Sequence, residues 1–98
     1  MGKKENEFQE NLVKEIESRF KGSIVLKNDP NYIQGFPDLT VFYKNKWALL
    51  EVKQSKSAKH QPNQDYYISY ANEMAFGSFI YPENKEEVLN ELQRAFES

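Results

Sequence analysis

The chain predicts an α/β fold, a mixed four-stranded sheet with flanking helices in the order αβββαβα. Three observations carry that expectation. Apolar residues recur at helical spacing in three stretches, and four short runs rich in β-branched and aromatic residues stand between them. The middle helical stretch falls between the third and fourth of these runs, which allows a parallel crossover inside an otherwise antiparallel sheet. At 98 residues, 39% hydrophobic and 14% aromatic, residues 1–98 are expected to form one domain around one core.

The first helix is expected from about Lys4 to Lys21, with Phe8, Leu12, Val13, Ile16 and Phe20 on its buried side and Gly22 ending it. Glu5 and Gln9 also fall on that side, because each helical step turns about 100°. Glu5 is thereby aimed at the core layer, although the same position suits a glutamate that merely favours the helix dipole. Ser23 to Lys27 reads as a short strand, followed by the turn-forming loop Asn28 to Gly35. Leu39 to Tyr43 and Trp47 to Lys53 are two strands of a hairpin joined by Lys44-Asn45-Lys46. By period two, Asp38, Thr40 and Phe42 share one face, as do Leu49, Glu51 and Lys53.

Gln54 to Asn63 is expected to be a solvated loop, with Pro62 starting the next helix and Asp65 in its first turn. Tyr67, Ile68, Ala71, Met74 and Ala75 form that helix's apolar side, Gly77 is its expected cap, and Gln64 points from its start toward the packed side. Ser78 to Tyr81 is the fourth strand, stopped by Pro82. The last helix begins at Asn84, with Glu87 completing a capping box and Val88, Leu89, Leu92, Ala95 and Phe96 as its buried stripe.

Composition narrows the chemistry. With no cysteine and a single histidine, His60, disulfides, thiolate sites and His-rich clusters are excluded, so any bound metal must sit among oxygen ligands. That donor set suits Mg²⁺ or Mn²⁺. No apolar run approaches the roughly 20 residues that span a bilayer, so a cytoplasmic protein without membrane contact is expected. The net charge of −2 makes no global case for nucleic acid, but Lys3, Lys4, Lys44, Lys46, Lys56 and Lys59 supply local positive charge for phosphate contacts.

The stretch from Gly35-Phe36-Pro37-Asp38 to Leu50-Glu51-Val52-Lys53 is where chemistry is expected. Asp38 and Glu51, on neighbouring strands, are candidates to hold one ion together with the Val52 carbonyl, with Glu5 as a further ligand. Lys53 is placed to orient a water or stabilise charge on a leaving group. The alternation Leu-Glu-Val-Lys also suits an ordinary half-solvated strand.

Asp38 after Pro37, followed by Glu51-Val52-Lys53, resembles the pattern of the PD-(D/E)XK nuclease superfamily. With Glu5, Phe8 and Gln9 in the first helix, Gly35 before Pro37 and Gln64 after the lysine loop, the chain is most similar to its VRR-Nuc domains, the virus-type replication and repair nucleases. The likeness runs from about Lys4 to Val88 and is similar to that of Holliday junction resolvases. It implies a restriction-endonuclease-like fold, with Glu5, Asp38 and Glu51 as metal-site acids, Val52 as a carbonyl ligand, Lys53 as catalytic lysine and Gln64 as a supporting residue. The expected function is a Mg²⁺-dependent, structure-selective DNA endonuclease acting on branched DNA such as junctions or flaps, in a bacterial or phage-infected cell. The alternative is a non-catalytic nucleic-acid-binding or interaction module on the same fold.

A homodimer is expected, since one small domain offers little surface to a duplex, with Tyr66, Tyr70, Phe79 and the terminal helix as interface candidates. His60 is expected to be an exposed loop residue and Trp47 a packing residue.

Overall fold

The hairpin at the centre forms because two apolar runs of five and seven residues flank a tight turn, in which Lys44 takes the left-handed conformation (φ 57°). A computed structural model describes residues 3–98. Among them the order is αβββαβα: α1 Lys3–Arg19, β1 Ile24–Lys27, β2 Leu39–Tyr43, β3 Lys46–Val52, α2 Gln64–Met74, β4 Gly77–Ile80 and α3 Lys85–Glu97. The strands lie in chain order, β1 and β2 antiparallel, β2 and β3 antiparallel, β3 and β4 parallel across α2. The expected mixed sheet is therefore present.

Period two splits β3 between two layers. Ala48, Leu50 and Val52 join Leu39, Val41 and Ile80 in the main core, beneath Leu12, Ile16 and Phe20 of the α1 segment and Val88, Leu89, Leu92 and Phe96 of α3. Helices α1 and α3 are also clipped to each other: Lys85 Nζ donates to Glu15 at 2.9 Å, and Arg19 donates to Gln93 at 3.0 and 2.8 Å. The alternate residues Leu49 and Glu51 face α2. Helix α2 is pressed hard onto β4, since a Cβ at Gly77 would lie 2.5 Å from the Ile68 carbonyl oxygen.

Three expectations at helix ends are corrected. Gly77 does not cap α2; it opens β4, and Ala75 ends the helix (φ −152°). Pro62 does not start α2, because Asn63 takes a left-handed turn (φ 74°) and the helix begins at Gln64. Asn84 stands before α3 without forming a capping box, its side chain instead accepting from the Tyr81 N–H (2.8 Å) and donating to the Phe79 carbonyl (3.1 Å). That bond pair fastens the end of β4 to the start of α3.

Candidate active site

The register of the hairpin sets the two central acids opposite each other. Leu39 pairs with Leu50 and Thr40 with Leu49, so one step beyond the ladder Asp38 stands across from Glu51. The Asp38 carbonyl still accepts from the Asn28 N–H (2.8 Å), which holds Asp38 in line with the sheet. Its carboxylate Oδ2 accepts from the Val52 N–H at 2.9 Å. Val52, expected as a carbonyl ligand, thus meets Asp38 through its amide instead.

Glu51 and Lys53 project together from the end of β3, both buried, at 4% and 7% exposure. Lys53 Nζ lies 3.8 Å from Glu51 Oε2. Gln64, the first residue of α2 and also buried, ties the two together. Its Nε2 donates to Glu51 Oε2 (2.8 Å), while its Oε1 accepts from Lys53 Nζ (2.7 Å) and from the Gln61 N–H (2.8 Å). With both donors on Oε1, the amide can point only one way. The remaining Lys53 bond goes to the Lys59 carbonyl at 3.1 Å.

These groups line a cavity of about 600 Å³, together with Glu5, Pro30, Gln34, Gly35 and Phe36. Glu5 lines the wall from the first turn of α1, which favours the inward of its two expected placements. Burial, followed by the Asp38 charge, raises its pKa. The Asp38 pKa is raised by burial as well, and that of Glu51 is raised to about 8, chiefly by burial and then by repulsion from Asp38. A buried acid and a half-buried one that repel each other favour a bound cation.

The donor set meets only part of what an ion needs. Among the described residues no three His, Cys, Asp or Glu side chains gather closely enough to enclose a metal, so Glu5 does not complete a three-acid cage with Asp38 and Glu51. Glu51 Oε1, however, is buried without a hydrogen-bond partner, and it belongs to the cavity lining. A pair of carboxylates with an orphaned oxygen fits Mg²⁺, which usually takes one or two carboxylates and keeps several waters.

The lysines separate into two groups. Lys59 lines the cavity, Lys56 is in the same loop, and Lys3 and Lys4 precede Glu5 in α1. Lys44 and Lys46 lie at the opposite end of the hairpin, about 17 Å away at roughly 3.3 Å per residue, with Lys44 over the Tyr43 ring. The six do not form one stripe.

Sequence reasoning understated His60. It is exposed as expected, but its ring stacks on Phe79 at 4.0 Å, and Nδ1 lies 2.9 Å from Asp65 Oδ1. A histidine five residues before an acid at a helix start was the available signal. Trp47 is half-buried and lines an apolar groove with Phe42, Leu49, Tyr67, Tyr70 and Met74, in keeping with packing. Comparison with protein-family models, curated proteins and solved structures found no match to this chain.

Proposed function

We propose that the chain is a metal-dependent endonuclease of PD-(D/E)XK type, most similar to VRR-Nuc domains, that hydrolyses phosphodiester bonds in branched DNA. The observation that carries this reading is the linked and buried set Glu51, Lys53 and Gln64, with half-buried Asp38 opposite Glu51, around a solvent-open cavity with one Glu51 oxygen unpartnered. A scaffold with no chemistry has little reason to maintain so many desolvated charges.

Asp38, Glu51 and the Val52 carbonyl would hold Mg²⁺ or Mn²⁺, with Glu5 on the wall acting through water. Such an ion would supply charge neutralisation at the phosphate and a more acidic water. The protein's own groups do the rest. Lys53, held by Gln64 Oε1 and the Lys59 carbonyl, presents its remaining proton to the attacking water or the phosphate oxygen. The water oxygen bonds to phosphorus and gives up a proton to the solvent that fills the open cavity, while the bond to the leaving sugar oxygen breaks and that oxygen takes up a proton from solvent. Gln64 keeps Glu51 and Lys53 in fixed relation throughout.

Substrate choice by shape would run through phosphate contacts from Lys59 at the cavity and from Lys56, Lys3 and Lys4. Lys44 and Lys46 would reach only a DNA arm running along the hairpin. The proposed partner for paired cuts is a second copy. The half of the sheet that α2 leaves uncovered carries Ile24, Leu26 and Phe42 at 58%, 47% and 43% exposure, beside Tyr70 and Met74. Tyr66 and Tyr70 remain interface candidates. Phe79 is occupied by His60, and the apolar stripe of α3 is spent in the core.

The test is incubation with a four-way junction, a flap and linear duplex, with and without Mg²⁺. Mg²⁺-dependent cleavage of the branched substrates is expected, with Asp38→Ala and Lys53→Ala each reducing the rate by about 10³-fold or more. Equal behaviour of wild type and variants would leave only a binding module.

A further inference from the structure

Residues 54–63 form no helix or strand, yet this loop supplies the Lys59 carbonyl that receives Lys53 Nζ. Among the described residues, His60 is the one side chain of the loop that hydrogen-bonds outside it. Its contacts fall next to three parts of the site. Phe79, on which the ring lies nearly parallel (14°), pairs with Glu51 across β3 and β4. Asp65, bonded to Nδ1, follows Gln64 in α2. Lys59, on the chain side, is the residue holding Lys53. One half-exposed side chain is thus fastened to the neighbours of Glu51, Gln64 and Lys53.

We infer that His60 is a positioning residue: its stack on Phe79, in which Asp65 only orients the ring, fixes the 54–63 loop and so sets the place of the Lys53 ammonium. The catalytic consequence rests on the nuclease reading above, whereas the structural consequence does not. The loop's other ties outward lie at its α2 end: the Gln61 N–H donates to Gln64 Oε1, the Gln64 N–H to the Gln61 carbonyl (3.3 Å) and the Tyr67 N–H to the Asn63 carbonyl (3.1 Å). All three lie beyond His60 in the chain, so apart from the Lys53 bond itself His60 is the hydrogen-bonded tie nearest Lys59. A flat aromatic ring in place of the imidazole would keep the stack and lose only the Asp65 bond.

The experiment compares wild type, His60→Ala and His60→Phe by ¹H–¹⁵N NMR of the lysine ammonium groups. The Lys53 signal is assigned by its loss in Lys53→Ala, and thermal unfolding checks each fold. A buried ammonium held by two acceptors exchanges slowly with water, so wild type is expected to show the Lys53 signal, His60→Ala to lose it, and His60→Phe to recover it. On a junction substrate with Mg²⁺, His60→Ala is expected to lower kcat about tenfold or more with KM within about twofold, because small misplacements of an aligned group are costly. An unchanged Lys53 signal in His60→Ala overturns the inference, as does failure of a folded His60→Phe to restore it. Absence of cleavage by wild type would overturn the nuclease reading instead, leaving the ammonium signal to decide the role of His60.

Discussion

Glu51 has one oxygen bonded to Gln64 and the other buried without a partner, and its pKa is raised to about 8 by burial and by Asp38. A carboxyl whose folded pKa lies above its unfolded value favours the protonated folded state. Its contribution to stability is therefore present at low pH and lost as pH rises through the folded value. Metal-free protein is expected to show a Tm that falls between about pH 5 and about pH 9, at about 4–8 °C for each kcal/mol lost. Asp38→Asn should flatten that slope, since it removes the neighbouring charge, and added Mg²⁺ should raise Tm more at pH 8 than at pH 6. Differential scanning calorimetry across this range gives the answer, and a flat profile would mean that Glu51 is better solvated than its surroundings indicate.

At the scale of elements, two glycines govern how the loops and helices close on the site. Gly35 has φ +82°, and a Cβ there would lie 2.5 Å from the Pro62 carbonyl oxygen and 2.7 Å from Asn63 Cβ. The 28–36 loop thus touches the end of the lysine loop only because this residue has no side chain. Gly35→Ala is expected to cost about 1–3 kcal/mol and to weaken Mg²⁺ binding as well, since both loops line the cavity. Gly77→Ala pushes α2 away from β4 at Ile68 and Ala71, and is expected to cost a similar amount in stability. Urea unfolding with Mg²⁺ titration separates the two: Gly35→Ala should alter both readouts, Gly77→Ala chiefly the first. The positive φ at Gly35 was not legible in the sequence, although its place two residues before Pro37 was.

For the whole molecule, the balance of charge and apolar surface decides what it can meet. Several basic groups are already paired: Lys27 with Glu10, Lys85 with Glu15, and Arg19 with the α3 side chains. With a net charge of −2, strong nonspecific attraction to DNA is not available, which accords with the recognition by shape proposed above. No helix among the described residues is long and apolar enough to cross a membrane. The exposed apolar face runs from the edge strand β1 to α2, and an uncovered edge of this kind invites pairing. Phe42→Glu with Tyr70→Glu is expected to shift sedimentation from dimer to monomer while leaving the fold intact. A wild type that sediments as a monomer at all concentrations would remove the second copy from the proposal.

Sequence periodicity alone was enough to place every strand and helix within about three residues at each end, and to put Glu5, Glu51, Lys53 and Gln64 on inward faces. It succeeded because turn spacing and strand alternation are local properties, set by neighbouring residues in the chain. Which acids face each other and what His60 touches were decided only by the folded structure. Asp38 meets Val52 fourteen residues away, and His60 meets a ring on β4. Such contacts depend on strand register and on the crossover through α2, and no pattern within either segment encodes them. The capping box at Asn84 failed for the same reason: Tyr81 and Phe79, brought close by the end of β4, captured its side chain.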